Sequence, residues 1–206
     1  MHPYGGVQTS HMLTRLDRET RPLHHGADAG WRDLLVNDVT ETEYGAQLAR
    51  IYGFEGPLEA ALAYTPNIAP VVDVKRRMRA GLIALDLTAL HIQASQIAKL
   101  SVAAIAPFAD VADALGWMYV VERATPLHSI VRDHVLRRLP HLANAATYLA
   151  AYETSIGSRW LELGAALDRV AHRPGGSDRI LAGAFEGFLC ATAWYHRHRP
   201  RLQRAG

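Results

Sequence analysis

The chain has 206 residues, 49% of them hydrophobic and 20% charged, as expected of one soluble globular domain with a full core. Lys and Arg total 22 against 20 Asp and Glu, too small an excess to argue for a nucleic-acid partner, and no apolar run approaches the roughly 20 residues of a membrane span. The lone Cys190 excludes a disulfide framework and a thiolate metal cluster, and the start MHPYGGVQTSHML has neither the basic opening nor the apolar core of a signal peptide, so a cytoplasmic location is the default expectation.

Residues 1–9 carry few apolar anchors and are expected to be loose. A helical pattern then runs from Ser10 through Met12, Leu13 and Leu16 to Thr20. Thr20-Arg-Pro22 reads as a bend, followed by a turn with Leu23, His24 and Ala27, and Gly26 and Gly30 mark the exit. Thr40-Glu-Thr-Glu43 is a capping box. The helix that it opens carries Tyr44, Leu48, Ile51 and Tyr52 and is expected to stop at Gly53-Phe-Glu-Gly56-Pro57, with a short helix after it through Leu58 and Leu62. Asp73 to Leu90 reads as one helix, and Gln93 to Pro107 as loop plus a short helix.

The stretch from Asp113 to Leu139 places Leu115, Met118, Tyr119 and Glu122 on one helical side. Its second half does the same with Leu127, Ile130, Val131, His134, Val135 and Arg138. Arg123-Ala-Thr-Pro126 interrupts it: Pro126 lacks an amide hydrogen, so the helix must bend or restart, with Thr125 as its cap. Pro140 ends this stretch. A helix with Tyr148 and Tyr152 follows and breaks near Gly157; Ser158 to His172 is amphipathic. Ser177 is the expected cap of a last helix, Asp178 to about His198, that buries Ile180, Leu181, Ala184, Phe185, Phe188, Leu189 and Ala193. Residues 199–206 form a basic tail. With no period-two alternation and no linker composition, the expectation is a single all-α domain over 1–206, of roughly eight helices.

The commoner chemical signatures are missing. There is no phosphate-loop motif, no GxSxG and no Glu-x-x-His. Two features remain. One is a polar cluster at the bend: Glu122, Arg123, Thr125 and His128. The other is His24, one turn beyond Thr20 on a helix face. A neutral imidazole held this way suits either an axial ligand to haem iron or a hydrogen-bonded core position.

Several segments resemble the heme oxygenase family. Leu16…Glu19-Thr20-Arg21-Pro22-Leu23-His24 is similar to the first helix of bacterial heme oxygenases, especially those making biliverdin for phytochromes. Tyr44…Leu48…Tyr52-Gly53-Phe54…Pro57-Leu58 resembles the second helix pair. Leu115-Gly-Trp-Met-Tyr119-Val-Val-Glu122 looks like the distal helix, and Ala184-Phe185…Phe188…Trp194 the closing one. The resemblance implies a single-domain helical bundle, haem as both cofactor and substrate, and His24 as proximal iron ligand. Arg15 or Arg18 would pair with propionates, and Tyr119 and Leu127 would face the ring. It also implies an electron donor or a phytochrome-type partner.

The chain departs from the family just after Glu122. Where the family reads Gly-Ser-Thr-Leu-Gly-Gly, this sequence reads Arg123-Ala124-Thr125-Pro126-Leu127-His128. Those glycines let the distal backbone approach the haem. Two function classes follow. One is oxidative opening of haem to biliverdin, iron and carbon monoxide. The other is a member that binds haem or another tetrapyrrole without opening it, with His24 and His128 as two axial ligands in one form, or that serves only a protein partner.

Overall fold

The computed structural model describes residues 10–198; the expected loose start and the basic tail lie outside them. The described residues fold as ten α-helices and two short 3₁₀ turns, without strand. The helices are α1 His11–Ala27, α2 Ala29–Asp33, α3 Glu41–Ala63, α4 Ala80–Ala89, α5 Ala94–Ile97, α6 Val111–Glu122, α7 Thr125–Arg138, α8 Thr147–Ala150, α9 Ile156–Ala171 and α10 Gly176–Arg197. None of them is long and apolar enough to cross a membrane.

Local chemistry fixes the ends. Ser10 accepts a bond from the Leu13 amide at 3.1 Å, while its hydroxyl donates to Asp168 at 2.9 Å, so one residue caps α1 and ties it to α9. The Thr40–Glu43 capping box forms as the sequence predicts.

The prolines behave differently from expectation. α3 runs unbroken through Gly53–Pro57. Pro57 leaves the carbonyl of Gly53 without its helical donor, and the Ala103 amide fills that place at 2.8 Å. α1 likewise continues through Pro22.

Asp73–Leu90 is not one helix. A 3₁₀ turn at Lys75–Arg77 and extended backbone at Met78 precede α4, because Glu59 accepts the amides of Arg79 and Ala80 and caps the new start. Gly157 lies inside α9 rather than breaking a helix. The α10 cap is Gly175, at φ +69°, and not Ser177. Ile180, Ala184 and Phe188 are buried as expected, but Leu189 is 61% exposed and Phe185 and Ala193 also face outward.

Two apolar clusters organise the core. The first joins α1, α3, α6, α9 and α10 through Leu16, Phe54, Leu115, Tyr119, Leu167 and Phe188. The second joins α2, α3, α4, α7 and α8 through Trp31, Leu48, Leu87, Val131, Val135 and Tyr148. α6 feeds the first and α7 the second, so the bend between them sits where the clusters meet. α6 and α10 form the most extensive helix pair. Their backbones nearly touch: a Cβ on Gly116 would lie 2.2 Å from the Ile180 carbonyl oxygen.

Candidate functional site

α1 carries Thr20 and His24 one turn apart. The buried Thr20 hydroxyl donates to the Leu16 carbonyl at 2.7 Å, and its oxygen lies 3.0 Å from His24 Nε2. The single hydroxyl hydrogen is committed to Leu16, so the imidazole donates and His24 carries its proton on Nε2. The ring stacks on Phe188 of α10, centroids 5.2 Å apart. Partial burial, and then the Arg123 charge, hold the His24 pKa below its ordinary value, so it is neutral at pH 7. Its neighbour His25 is exposed and pairs with Arg32.

Tyr119 of α6 meets Phe188 edge to face, centroids 6.2 Å apart. Burial pushes its phenol up to about 12. Thr20, His24, Phe188 and Tyr119 thus form one wall between α1, α6 and α10.

The bend is built without glycine. Arg123 closes α6 at φ −60°, ψ −30°, and Ala124 precedes α7 at φ −76°, ψ −15°, so ordinary helical backbone carries the chain through. Thr125 does not cap α7. It is the first residue of that helix, and its hydroxyl donates back to the Glu122 carbonyl at 2.7 Å. Pro126 occupies the first turn, where the missing amide costs nothing.

The polar residues of the bend diverge. Glu122 points inward: it accepts from the Tyr152 hydroxyl at 3.3 Å and pairs with Arg77 at 3.3 Å. Beside it lies a network that sequence reading missed. Tyr148 donates to Glu55 at 2.5 Å, and Arg79 pairs with Glu55 at 3.4 Å while lying over the Tyr148 and Tyr152 rings. Glu55, Glu59, Arg77, Arg79 and Glu122 line a cavity of about 20 Å³, room for one water. Burial raises the carboxyl of Glu55, and that of Glu59 to about 7. Sequence reading put Arg77 and Arg79 inside one Asp73–Leu90 helix, and nothing local there marks their buried partners.

Arg123 turns the other way. Its guanidinium forks onto Asp28, the residue that closes α1, with Nη1 3.1 Å from Oδ2 and Nη2 on the second oxygen. It also lies over Phe188, 5.5 Å from the ring centre.

His128 is buried between Trp31 of α2 and Tyr148 of α8, each centroid 4.9 Å away. Its Nε2 has no hydrogen-bond partner, and burial holds it neutral. Leu127 is half-buried against the same cluster. On α7 the buried face is Thr125, His128, Val131 and Val135, whereas Ile130 is 55% exposed.

The two arginines of the resemblance are engaged elsewhere. Arg15 bonds Glu19, Ser177 and Asp178 beside the start of α10, and Arg18 bonds Glu19 with most of its side chain in solvent. Arg15 sits nine positions before His24, roughly 13 Å along the axis at the helical rise.

The arrangement therefore unites His24, Tyr119 and Arg123 around Phe188, and leaves Glu122 and His128 in other surroundings. Sequence reading did not find Asp28 or Trp31, which receive Arg123 and His128. Nothing local marks either residue; only the folded path past Gly30 brings them to the bend.

A family model described as heme oxygenase matches residues 10–197. No curated protein matches the chain.

Proposed function

Because the chain belongs to the heme oxygenase family, we propose that it binds haem, or a related tetrapyrrole, between the His24 helix and the α6–α7 bend, and that it opens the ring poorly or not at all. One observation carries this reading. The positions where the resemblance has three glycines hold Arg123, Leu127 and His128, and two of them reach the proximal segment, at Asp28 and Trp31. A family slot left open by glycine is here bridged at two points.

The donor set fits haem. His24 is neutral and half-buried, and a hydroxyl is its hydrogen-bond partner. Haem would supply both the iron and the ring to be opened. The chain's own part is to hold that iron and orient the plane. For Nε2 to reach a metal it must leave Thr20, and its proton must move to Nδ1. Phe188 then fixes the imidazole plane. Packing of His128 between Trp31 and Tyr148 favours ligation by His24 alone over a two-histidine complex.

The motif order favours the phytochrome-associated, biliverdin-forming branch as nearest kin, and hence an electron donor if turnover occurs. An active enzyme is the second reading. It is favoured by the position of His128, whose imidazole neighbours are Trp31 and Tyr148 rather than the Phe188 wall of His24.

Titration with hemin tests the binding. A shifted Soret band that disappears in His24→Ala and persists in His128→Ala is expected. A band unchanged by His24→Ala would move the ligand elsewhere, and no band at all would leave a scaffold or protein-interaction role.

A further inference from the structure

We propose that Arg123 is the anchor for a carboxylate of the bound ligand, and that Asp28 occupies that anchor while the slot is closed. The choice of ligand, a porphyrin bearing propionates, rests on the haem reading above.

The guanidinium fork matches a carboxylate in two-point geometry, and Asp28 already fills it that way. Asp28 ends α1 and donates its amide to the His24 carbonyl at 2.9 Å, so the stand-in carboxylate lies one turn beyond the iron-ligand candidate. The side chains of Arg123 and Asp28 are 13% and 15% exposed, so the pair is mostly buried yet touches solvent. Arg123 Nε is buried without a hydrogen-bond partner, a donor left over after Asp28 is satisfied. The guanidinium and the His24 ring both bear on Phe188, at 5.5 Å and 5.2 Å. Anchor and iron ligand thus share an aromatic wall.

The other arginines near α1 are less suited. Arg21 pairs with Asp17 at 2.8 Å and is 72% exposed, and Arg15 is held at the start of α10. Arg123 alone among them spans from the distal bend to the proximal helix. Exchange of one carboxylate for another keeps the fork filled, so the charged head is never left bare. A ligand without free carboxylates does not compete for the fork and leaves Asp28 in place.

Hemin and its dimethyl ester, in which both propionates are capped, separate these cases. Affinities are read from the Soret band of the full chain and of Arg123→Met, Arg123→Lys and Asp28→Asn, with circular dichroism melts to confirm folding. Arg123→Met is expected to weaken hemin roughly tenfold or more, the scale of a charge-assisted hydrogen bond, and to leave the diester nearly unchanged. Arg123→Lys, the milder change if Met impairs folding, should restore the preference only in part because an ammonium lacks the fork. Asp28→Asn should widen the preference for hemin over diester by removing the internal competitor. A preference equal in all four proteins, in the presence of a His24-dependent band, overturns the anchor alone. Absence of a His24-dependent band with either ligand overturns the haem reading, and the anchor with it.

Discussion

His128 lays its imidazole against Trp31 with ring centroids 4.9 Å apart, joining the bend of α6 and α7 to the segment just beyond α1. Tyr148 flanks it on another side at the same distance. A residue standing where the resemblance has glycine is therefore a packed part of the second core. His128→Ala should destabilise the protein by about 2–4 kcal/mol in chemical denaturation, the range for emptying a large buried site. Exposed His172 replaced by Ala should change stability by less than about 0.5 kcal/mol. Equal, small effects at both sites would mean that His128 is not packed as described.

Stability should depend on pH through two groups of opposite sign. His128 is buried near the Arg79 charge, and its folded pKa lies well below its ordinary value. Below about pH 6.5 the unfolded chain binds the proton that the folded chain refuses, so stability falls as pH drops from there towards the folded pKa. Glu59 is the reverse. Its pKa rises from 4.5 to about 7, so the folded state holds the extra proton and stability falls as pH rises through that window. Between pH 5 and 7, Glu59→Gln should therefore steepen the loss of stability on acidification, and His128→Gln should flatten it. Urea midpoints across that range report both; slopes moving the same way in the two variants would contradict the assignment.

The close approach of α6 to α10 gives a sharp pair of substitutions. Gly116→Ala would press a Cβ against the Ile180 carbonyl and the Ala184 amide, at 2.2 and 2.6 Å, and backbone cannot step aside cheaply. A loss of about 3 kcal/mol or more, at the upper end for overpacking, is expected. In α4 a Cβ on Gly81 meets nothing within 4 Å, so Gly81→Ala should stabilise by roughly 0.4–1 kcal/mol through helix propensity and loss of unfolded-state freedom. Thermal melts order the two; a tolerated Gly116→Ala would show that the helices lie further apart.

Thr20 holds His24 in one tautomer. Thr20→Val should remove the Nε2–H bond, shift the imidazole towards the Nδ1–H form, and tighten hemin binding because no hydrogen bond then has to be broken. The nitrogen shifts of His24 and the hemin affinity are read together. Unchanged tautomer and affinity would mean that the Thr20 hydroxyl does not restrain the ring.

The helical class, the Thr40 cap and the buried side of α6 were legible in the sequence because they depend on spacing within one segment. Pro57 was misread because its effect depends on Ala103, far along the chain, which supplies the missing hydrogen bond. Met78 broke the expected Asp73–Leu90 helix because Glu59 caps the residues after it. The site divides the same way. The bend was legible from local pattern and His24 was singled out by pattern and resemblance together, whereas the partners Asp28 for Arg123 and Trp31 for His128 follow only from how α1 and α2 pass α7. Glu122 fell on the expected helix face, yet its carboxylate serves Arg77 and Tyr152.

The most direct test of the central claim is turnover by the unmodified chain. Hemin is bound, a reductant and air are added with catalase present, and biliverdin is followed by its absorbance. A His24-dependent Soret band with little or no biliverdin is the expected result, because Arg123, Leu127 and His128 fill the positions that glycine leaves open. Steady formation of biliverdin would contradict it and establish the chain as an active heme oxygenase.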